Sequence, residues 1–458
     1  MKLIQKILCA GFCLLLASGL FAGEVKNVIW LIGDGMGPEL MGFFMQGVRY
    51  GNVASYPQKI SHLEKLTQEG QVGMYFNNTY DTVVTDSAAA ATQMATGVVS
   101  RPGIIGQDHN NQNVPTLLEL AKKKGKSVGV ITDAYVTDAT PAGFSAHVAD
   151  RGEKREIARQ QIDLGVDVIS GGGLKYFSTE ENKDLLLYAK EQGYTVVHNK
   201  QELEQVKKGK LLGLYSQEAL PMSIEMRYYP HLPSLTDQVK ESIKLLEKNK
   251  KGFVLMVEAG KIDWAAHGND AGSVWAEMKV FDQVLGYIKK YADKHPDTLV
   301  YVNADHGTGL GGFTYQHLST DQAKRKTDQG EMLYWGDTDY ASFKQYELFE
   351  KQTRTLYSVQ EELKRIPLHE FTPSIIQEKL SEVLGYPVDI SGFTNLQDIE
   401  GLFRQLDLSR GIVWATQGHS SVMLLSIAYG PESDKFTGLY HNTDILPRML
   451  EALGWDKE

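Results

Sequence analysis

The stretch "NVIWLIGDG", residues 27–35, decides the fold class of this 458-residue chain. An apolar run rich in β-branched residues and closed by Gly-Asp-Gly predicts a buried strand that ends in a turn. The same pattern occurs in "KSVGVITDA", "VDVISGGG", "YTVVHN", "GFVLMVEAG", "TLVYVNADHG" and "SVMLLSIAYG". Strands that are apolar throughout are typical of a sheet covered on both faces.

Amphipathic stretches separate these strands, among them "VPTLLELAKKKG", "SLTDQVKESIKLLEKNKKG" and "AGSVWAEMKVFDQVLGYIKKYADKH". The alternation predicts an α/β fold, a three-layer sandwich whose mainly parallel central sheet carries helices on both faces. Ligands of such folds bind beyond the carboxyl ends of the strands. We therefore expect the functional site at that edge of the sheet.

One polar region interrupts the alternation. Residues 311–412 are rich in Gln, Lys and Glu and show no comparable buried strand, although pieces such as "PSIIQEKLSEVLG" predict helices. We interpret this region as a polar insertion lying over or beside the sheet, within one domain that spans residues 23–458.

The N-terminus predicts export. Lys2 and Lys6 precede the apolar run "ILCAGFCLLLASGLFA", which is typical of a signal peptide, here residues 1–22, rather than of a membrane span. Both cysteines, Cys9 and Cys13, lie in this segment, so the mature protein is expected to have neither a disulfide nor a zinc–thiolate site. The expected location is the periplasm or the medium, with no membrane attachment after cleavage.

The charge of the chain disfavours one class of function. The formal net charge is −10, and removal of the two lysines of the signal peptide makes it −12. Nucleic-acid-binding proteins need a basic footprint, so we expect no nucleic-acid-binding surface.

Carboxylates and histidines lie at the ends of, or close to, most of the predicted strands. They are Asp34 in "GDGMG", Glu258, Asp263 and His267 in "VEAGKIDWAAH", Asp305 and His306 in "NADHG", and His419 in "TQGHSS". Asp263 and His267 are one helical turn apart, so both can face one ion. Each residue alone is more often a turn former or a satisfied polar group, but buried like charges at one edge need a cation. Oxygen and imidazole ligands suit zinc or manganese, and an all-oxygen subset suits magnesium.

A lone serine stands at the start of a predicted helix. The stretch "VVTDSAAAATQMATGV" places Thr85, Asp86 and Ser87 directly before a run of alanines. Ser87 is predicted to be the N-cap of that helix. The alternative is a nucleophile held at the positive end of the helix dipole, and the stretch by itself leaves both open.

Six motifs in this order resemble the alkaline phosphatase family: "GDGMG", "TDSAAAATQMATG", "TDATPAGFSAHVADR", "VEAGKIDWAAH", "NADHG" and "TQGHSS". The similarity runs from about Val25 to Gly454, apart from residues 311–412. Each motif alone is weak evidence, but six in order between the predicted strands are specific.

The resemblance implies hydrolysis of small phosphate monoesters to an alcohol and inorganic phosphate through a phosphoserine, with two zinc ions and one magnesium ion. It implies that Ser87 is the nucleophile, that Arg151 binds the phosphate and that Asp86 orients Arg151. The implied ligands are Asp263, His267 and His419 for the first zinc, Asp34, Asp305 and His306 for the second, and Asp34, Thr140 and Glu258 for magnesium.

Two positions depart from the pattern of some family members. Asp138 stands where some have histidine, which favours magnesium in the third site through an ordered water. Trp264 stands where a basic residue or histidine is frequent, so we expect a weaker hold on the phosphate. The resemblance also implies a crown or lid at residues 311–412 and a possible homodimer.

Two alternatives remain open. A phosphodiesterase or sulfatase of the same superfamily is the first, but a diesterase usually has a threonine nucleophile and lacks the arginine, and a sulfatase needs a modifiable cysteine or a serine in another motif. Ser87 together with Arg151 therefore favours a monoesterase. The second alternative is a non-catalytic exported protein that binds phosphate or metal.

Overall fold

The computed structural model describes residues 23–178, 184–317, 334–335, 338–367, 371–390 and 398–455. The predicted signal peptide, residues 1–22, lies outside the described residues, as do parts of the segment 311–412. Over the described ranges, no helix combines the length and the apolar character that a membrane span requires.

The strands of the described residues are β1 Asn27–Gly33, β2 Gln71–Phe76, β3 Ser127–Tyr135, β4 Val168–Gly172, β5 Tyr194–Val197, β6 Lys210–Leu214, β7 Phe253–Ala259, β8 Thr298–Ala304, β9 Gly307–Thr308, β10 Gly311–Phe313, β11 Gln316–His317, β12 Tyr334–Trp335, β13 Thr338–Asp339, β14 Ile412–Trp414, β15 His419–Ser420, β16 Leu424–Tyr429 and β17 Gly438–His441. A central sheet of 10 strands has the order β17-β2-β16-β8-β1-β7-β3-β4-β6-β5. In this sheet β16 alone runs antiparallel to its neighbours. The predicted α/β class with a mainly parallel sheet is confirmed.

The α-helices lie around this sheet. They are Pro38–Tyr50, His62–Glu69, Ser87–Thr96, Leu117–Lys123, Ala139–Ser145, Lys154–Leu164, Leu185–Glu191, Lys200–Gln205, Leu235–Leu246, Lys261–His267, Ala271–Ala292, Gln345–Lys351, Leu356–Lys364, Pro373–Leu384, Ile399–Ser409 and Ile445–Ala452. Two of the predicted helices begin with a capping box, formed by Thr116 with Glu119 and by Ser234 with Asp237. These boxes satisfy backbone N–H groups that a helix start leaves unpaired.

The core is centred on β1, in which every residue is buried. The ring of Trp30 packs edge-on against Phe144 at 5.0 Å and Tyr301 at 5.1 Å. Its indole Nε1 donates a hydrogen bond to Oδ1 of Asn303 at 2.7 Å, so the one polar atom of this side chain is satisfied. Burial of each such apolar side chain stabilises the fold by about 1.5–3 kcal/mol.

The register of the central strands aligns their carboxyl ends. Ile32 of β1 lies opposite Glu258 of β7 on one side and Asn303 of β8 on the other. The residues that follow β1 and β8, Asp34 and Asp305, therefore emerge beside Glu258 at one edge of the sheet.

The segment 311–412 leaves and rejoins the main body through a pair of antiparallel strands, β10 and β14, in which Gly311 lies opposite Trp414. Its helices from Leu356 to Ser409 contribute an apolar cluster that is separate from the main core. Tyr346 and Phe349, by contrast, pack into the main core. The bounds of an insertion at 311–412 stay a prediction.

Candidate active site

Ser87 is the first residue of the helix Ser87–Thr96, but it is not the N-cap, which corrects the prediction from the sequence. The cap is Asp86, whose Oδ1 accepts a hydrogen bond from the backbone N–H of Ala89 at 3.0 Å. The alanines that follow are buried because this helix lies close to Ala139–Ser145, where a Cβ on Gly143 would stand 2.8 Å from Cβ of Ala91. Ser87 is thus left free of the capping role, with its hydroxyl at the positive end of the helix.

His306 joins Ser87 to the buried carboxylates at the sheet edge. Nε2 of His306 lies 3.1 Å from Oγ of Ser87, 3.1 Å from Oδ2 of Asp305 and 3.5 Å from Oδ1 of Asp34. The backbone N–H of Gly35 donates to Oδ1 of Asp305 at 3.0 Å. Gly35 has φ +68°, and a Cβ there would stand 2.8 Å from Oδ1 of Asp263, so a side chain would collide with the site.

A second group of ligand atoms comes from Asp263, His267 and His419. Oδ2 of Asp263 lies 3.2 Å from Nε2 of His267, as expected for two residues one turn apart on the helix Lys261–His267. The Nδ1 atoms of His267 and His419 donate to the backbone carbonyls of Gln417 and Thr85. In the neutral rings these bonds leave Nε2 of each histidine free to bind a metal, and the two Nε2 atoms are 3.1 Å apart. Both atoms can therefore be ligands of one cation.

The structure groups the predicted ligands somewhat differently from the resemblance. Asp263 also lies within ligand distance of Asp34 and His306, so it stands between the two groups. Thr308, which the sequence did not single out, donates from Oγ1 to Oδ1 of Asp263 at 2.5 Å and lies 3.2 Å from Nδ1 of His306. One hydroxyl thus orients a residue in each group.

The candidate magnesium ligands are buried behind Asp34. Glu258 and Thr140 are each 1% exposed. Oγ1 of Thr132 donates to Oε2 of Glu258 at 2.5 Å. Among the described residues, Oδ1 of the buried Asp34 has no hydrogen-bond partner. Unpaired buried oxygens are costly, so these residues fit a cation with oxygen ligands.

The pKa values of the buried carboxyl groups at this edge of the sheet also favour a cation site. Burial, followed by the like charges of Asp305 and Asp263, raises the pKa of Asp34 well above its ordinary range. Burial raises the pKa of Glu258 to about 8, although the hydrogen bond from Thr132 opposes the shift. A bound cation would lower these pKa values, because it stabilises the ionised carboxylates.

Arg151 spans two carboxylates beside Ser87. Its Nη1 donates to Oδ2 of Asp86 at 3.2 Å, and its Nη2 donates to Oδ1 of Asp138 at 3.3 Å. Oδ2 of Asp86 also accepts from the backbone N–H of Gly103 at 3.0 Å. The two carboxylates fix the orientation of the guanidinium, and the Arg151 side chain is one-third exposed, so a ligand can approach it.

Lys154 is a further charged residue that the sequence did not reveal. It begins the helix Lys154–Leu164, and its Nζ donates to Oδ1 of Asp138 at 2.8 Å. Asp138 therefore shares one oxygen between Lys154 and Arg151, while it also caps the helix Ala139–Ser145. The signal that could have found Lys154 is weak, because a lysine three residues after Arg151 ordinarily lies in solvent.

Trp264 lies at the outer edge of this site, with 36% of its surface exposed. Nζ of the buried Lys261 stands 4.4 Å above its ring. The indole contributes no charge to the site. The positive charge beside Asp138 comes instead from Arg151 and Lys154.

For the phosphate monoester that the resemblance implies as substrate, we expect Lys154→Met to raise the KM about threefold to tenfold. Asp138 is then paired with Arg151 alone and competes more strongly with the phosphate for its guanidinium. Steady-state kinetics measure this change, and Lys154→Arg should restore the KM. The matched control is Lys435→Met, which removes a lysine paired with Glu451 away from the site. A loss of thermal stability with an unchanged KM would show that Lys154 only supports the fold.

Carboxylates and imidazoles that could hold a cation lie at one edge of a mainly parallel sheet, beside a serine and an arginine, which is the arrangement of a metal-dependent α/β hydrolase. The chain belongs to the alkaline phosphatase family, whose model, Alkaline phosphatase, matches residues 25–455. The resemblance found in the sequence is thereby confirmed. The protein is an enzyme, a phosphoric monoester hydrolase, in a metal-dependent family that acts on small phosphate esters.

The chain is also similar to individual alkaline phosphatases in sequence and in structure. The chain is 32% identical to Alkaline phosphatase 4 of Bacillus subtilis (strain 168) over 429 residues, which cover 92% of this chain and 87% of that protein. The cold-active alkaline phosphatase of Shewanella sp. has a TM-score of 0.76 at 28% identity, over 93% of this chain and 99% of that one. A histidine-to-aspartate variant of TAB5 alkaline phosphatase, with Mg bound in its M3 site, has a TM-score of 0.68 at 25% identity, over 95% and 99%.

Proposed function

We propose that this protein is an exported alkaline phosphatase that hydrolyses phosphate monoesters through a phosphoserine at Ser87, with two zinc ions and one magnesium ion. The observation that carries the proposal is the position of Ser87. Its Oγ lies at a helix start, 3.1 Å from Nε2 of His306, and faces a cluster of cation-binding residues with Arg151 alongside. Such a cluster supplies the charge stabilisation that phosphoryl transfer requires.

The chain's own residues bind and position the ester. Arg151 holds two phosphoryl oxygens, since its planar fork can meet both at once and its orientation is set by Asp86 and Asp138. Oγ of Ser87 attacks the phosphorus, and the bond from phosphorus to the ester oxygen breaks as the alcohol leaves. Water then attacks the phosphoserine, which releases inorganic phosphate and restores the serine hydroxyl.

For the residues that would hold the metals we take the sets that the family resemblance implies. They are Asp263, His267 and His419 for the first zinc, Asp34, Asp305 and His306 for the second, and Asp34, Thr140 and Glu258 for magnesium. Two bound zinc ions would supply positive charge to the attacking and the leaving oxygen of an in-line displacement. Asp138 lies near the magnesium residues and raises the pKa of Glu258 by its charge, which supports a cation between them.

The monoesterase proposal is tested against a phosphodiesterase and a non-catalytic binder with 4-nitrophenyl phosphate and the methyl diester of the same phenol. Wild-type protein is expected to turn over the monoester much faster. Arg151→Ala should lower kcat/KM for the monoester about tenfold to a hundredfold, because the dianion loses a charge-assisted bidentate contact, while the slow diester reaction barely changes.

Arg151→Lys is the matched variant, since it keeps the charge and loses the fork; an intermediate rate is expected. Equal losses on both substrates would show that Arg151 only supports the fold. A faster diester reaction in the wild type would favour the diesterase, and phosphate binding without turnover would favour the binder.

The proposal also includes the location of the protein and its oligomeric state. The segment 1–22 is proposed to direct export, to the periplasm or the medium. An exposed apolar face of β2 and β17 supports a homodimer, because a second chain could cover it; its residues are Val72, Met74, Phe76 and Leu439. Light scattering of the mature protein should give the mass of two chains, and the mass of one chain would contradict the dimer.

A further inference from the structure

A large cleft lies beside the candidate active site, along the helix Lys261–His267. Its volume is about 1050 Å³, which is at the upper end of the range for sites that bind drug-sized molecules. His267 lines this cleft and also belongs to the group with Asp263 and His419. The cleft is thus continuous with the position at which the phosphate reacts.

The walls of the cleft come from two separate parts of the chain. One wall contains Leu220 and Met222, and the other contains Tyr357 and Phe403, from two helices of the segment 311–412. Trp264 lies between them, next to His267 in the helical turn. The cleft therefore has two exposed aromatic side chains in its lining, Trp264 at 36% and Tyr357 at 68% exposure, whereas Phe403 is buried.

Two arginines add to this surface. Arg365 and Arg404 line the cleft together with carboxylates such as Glu361 and Glu400, and both arginines are exposed. Within the ranges that the structure describes, neither forms an ion pair, although Lys364 pairs with Glu361 and Arg354 with Glu362 nearby. A planar guanidinium without a carboxylate partner can stack on a flat ring.

We propose that this cleft binds the alcohol portion of the phosphate monoester and selects alcohols that carry a planar ring system. The inference rests on the proposed function, because it takes the leaving oxygen to lie beside Asp263, His267 and His419. From that position the alcohol extends past His267 and Trp264 into the cleft, where Tyr357 and Arg404 meet its ring. The bond that breaks is unchanged, and the alcohol takes up a proton as it leaves.

The experiment compares adenosine 5′-monophosphate with glycerol 1-phosphate, both esters of primary alcohols, as the ratio of their kcat/KM values. In the double variant Tyr357→Ser, Arg404→Ser, this ratio should fall about fivefold or more, because stacking of a base on the cleft is lost. The control variant is Tyr340→Ser, which removes an exposed tyrosine of the same segment that does not line the cleft. Its ratio should equal that of the wild type.

The results distinguish a failure of the proposed function from a failure of the proposed alcohol-binding role of the cleft. If wild-type protein hydrolyses neither ester, the proposed function itself fails. If it hydrolyses both and the double variant keeps the wild-type ratio, the function stands and the cleft does not select the alcohol. An equal fall in the Tyr340→Ser control would also overturn the inference, since the effect would then come from the fold of the segment.

Discussion

Removal of divalent cations is expected to abolish monoester turnover and to lower the melting temperature by roughly 5 °C or more, because metals bind the folded state preferentially. Asp34, Asp305 and Asp263 lie together in a buried space, so their charges repel without a cation. The measurement is activity and thermal unfolding after dialysis against a chelator, followed by return of zinc, magnesium or both. Elemental analysis of untreated protein should find about two zinc and one magnesium per chain.

Two histidine variants test whether zinc binds at the predicted cluster. His419→Ala removes a side chain whose Nε2 faces Nε2 of His267, so the zinc content should fall by about one ion per chain. His295→Ala removes a histidine that stacks on Tyr291 away from the cluster, and it should keep the full metal content. Metal-free protein with full activity would contradict the metal assignment.

Replacement of the nucleophile is expected to have an effect of similar size. Ser87→Ala should reduce turnover by roughly three orders of magnitude or more, because the covalent route through the phosphoserine is closed. The metals should remain bound, since Ser87 is not among the residues proposed to hold the two zinc ions and the magnesium ion. Mass spectrometry of acid-quenched wild-type protein should place the phosphate on Ser87, and the variant should carry none.

Ser100→Ala provides the control for this variant. Ser100 is buried and donates from Oγ to the backbone carbonyl of Gln107 at 2.8 Å, so its loss costs about 1 kcal/mol of stability without touching the site. Its phosphoenzyme should form as in the wild type. Phosphate found on any residue other than Ser87 would refute the proposed intermediate.

The central strands could be predicted from the sequence because they are buried on both faces. The run "NVIWLIGDG" and its six counterparts all coincide with strands of the central sheet. Three strands of that sheet, β2, β6 and β17, were missed. In β2 and β17 exposed and buried residues are mixed, so neither produces a continuous apolar run. The strand β6 is apolar and buried after Lys210, so its pattern was present in the sequence but was not recognised. The antiparallel direction of β16 was equally hidden, since an apolar run has the same pattern in either direction.

In the candidate site, too, local relations between residues could be predicted from the sequence, whereas long-range contacts could not. The spacing of Asp263 and His267 placed both on one helical face, since that relation is local. Asp86 and Ser87 are both good N-cap residues, and the backbone conformation alone assigns the cap to Asp86. Lys154 donates a hydrogen bond to Asp138, and Thr308 donates one to Asp263. No local sequence pattern predicts either contact.

The sequence by itself determined the α/β class, the family resemblance and the residue types at the strand ends, because periodicity and short motifs are local properties of a chain. Only the tertiary structure decided that Nε2 of His267 and Nε2 of His419 face each other, and that Asp263 stands between two groups of ligand atoms. It also decided that Tyr357, in the polar segment, lines a cleft that reaches His267. His267 and His419 are 152 positions apart, and Asp34 and Asp263 are farther apart still. Their distances are set by packing of the whole sheet and its helices, which no local stretch of sequence specifies.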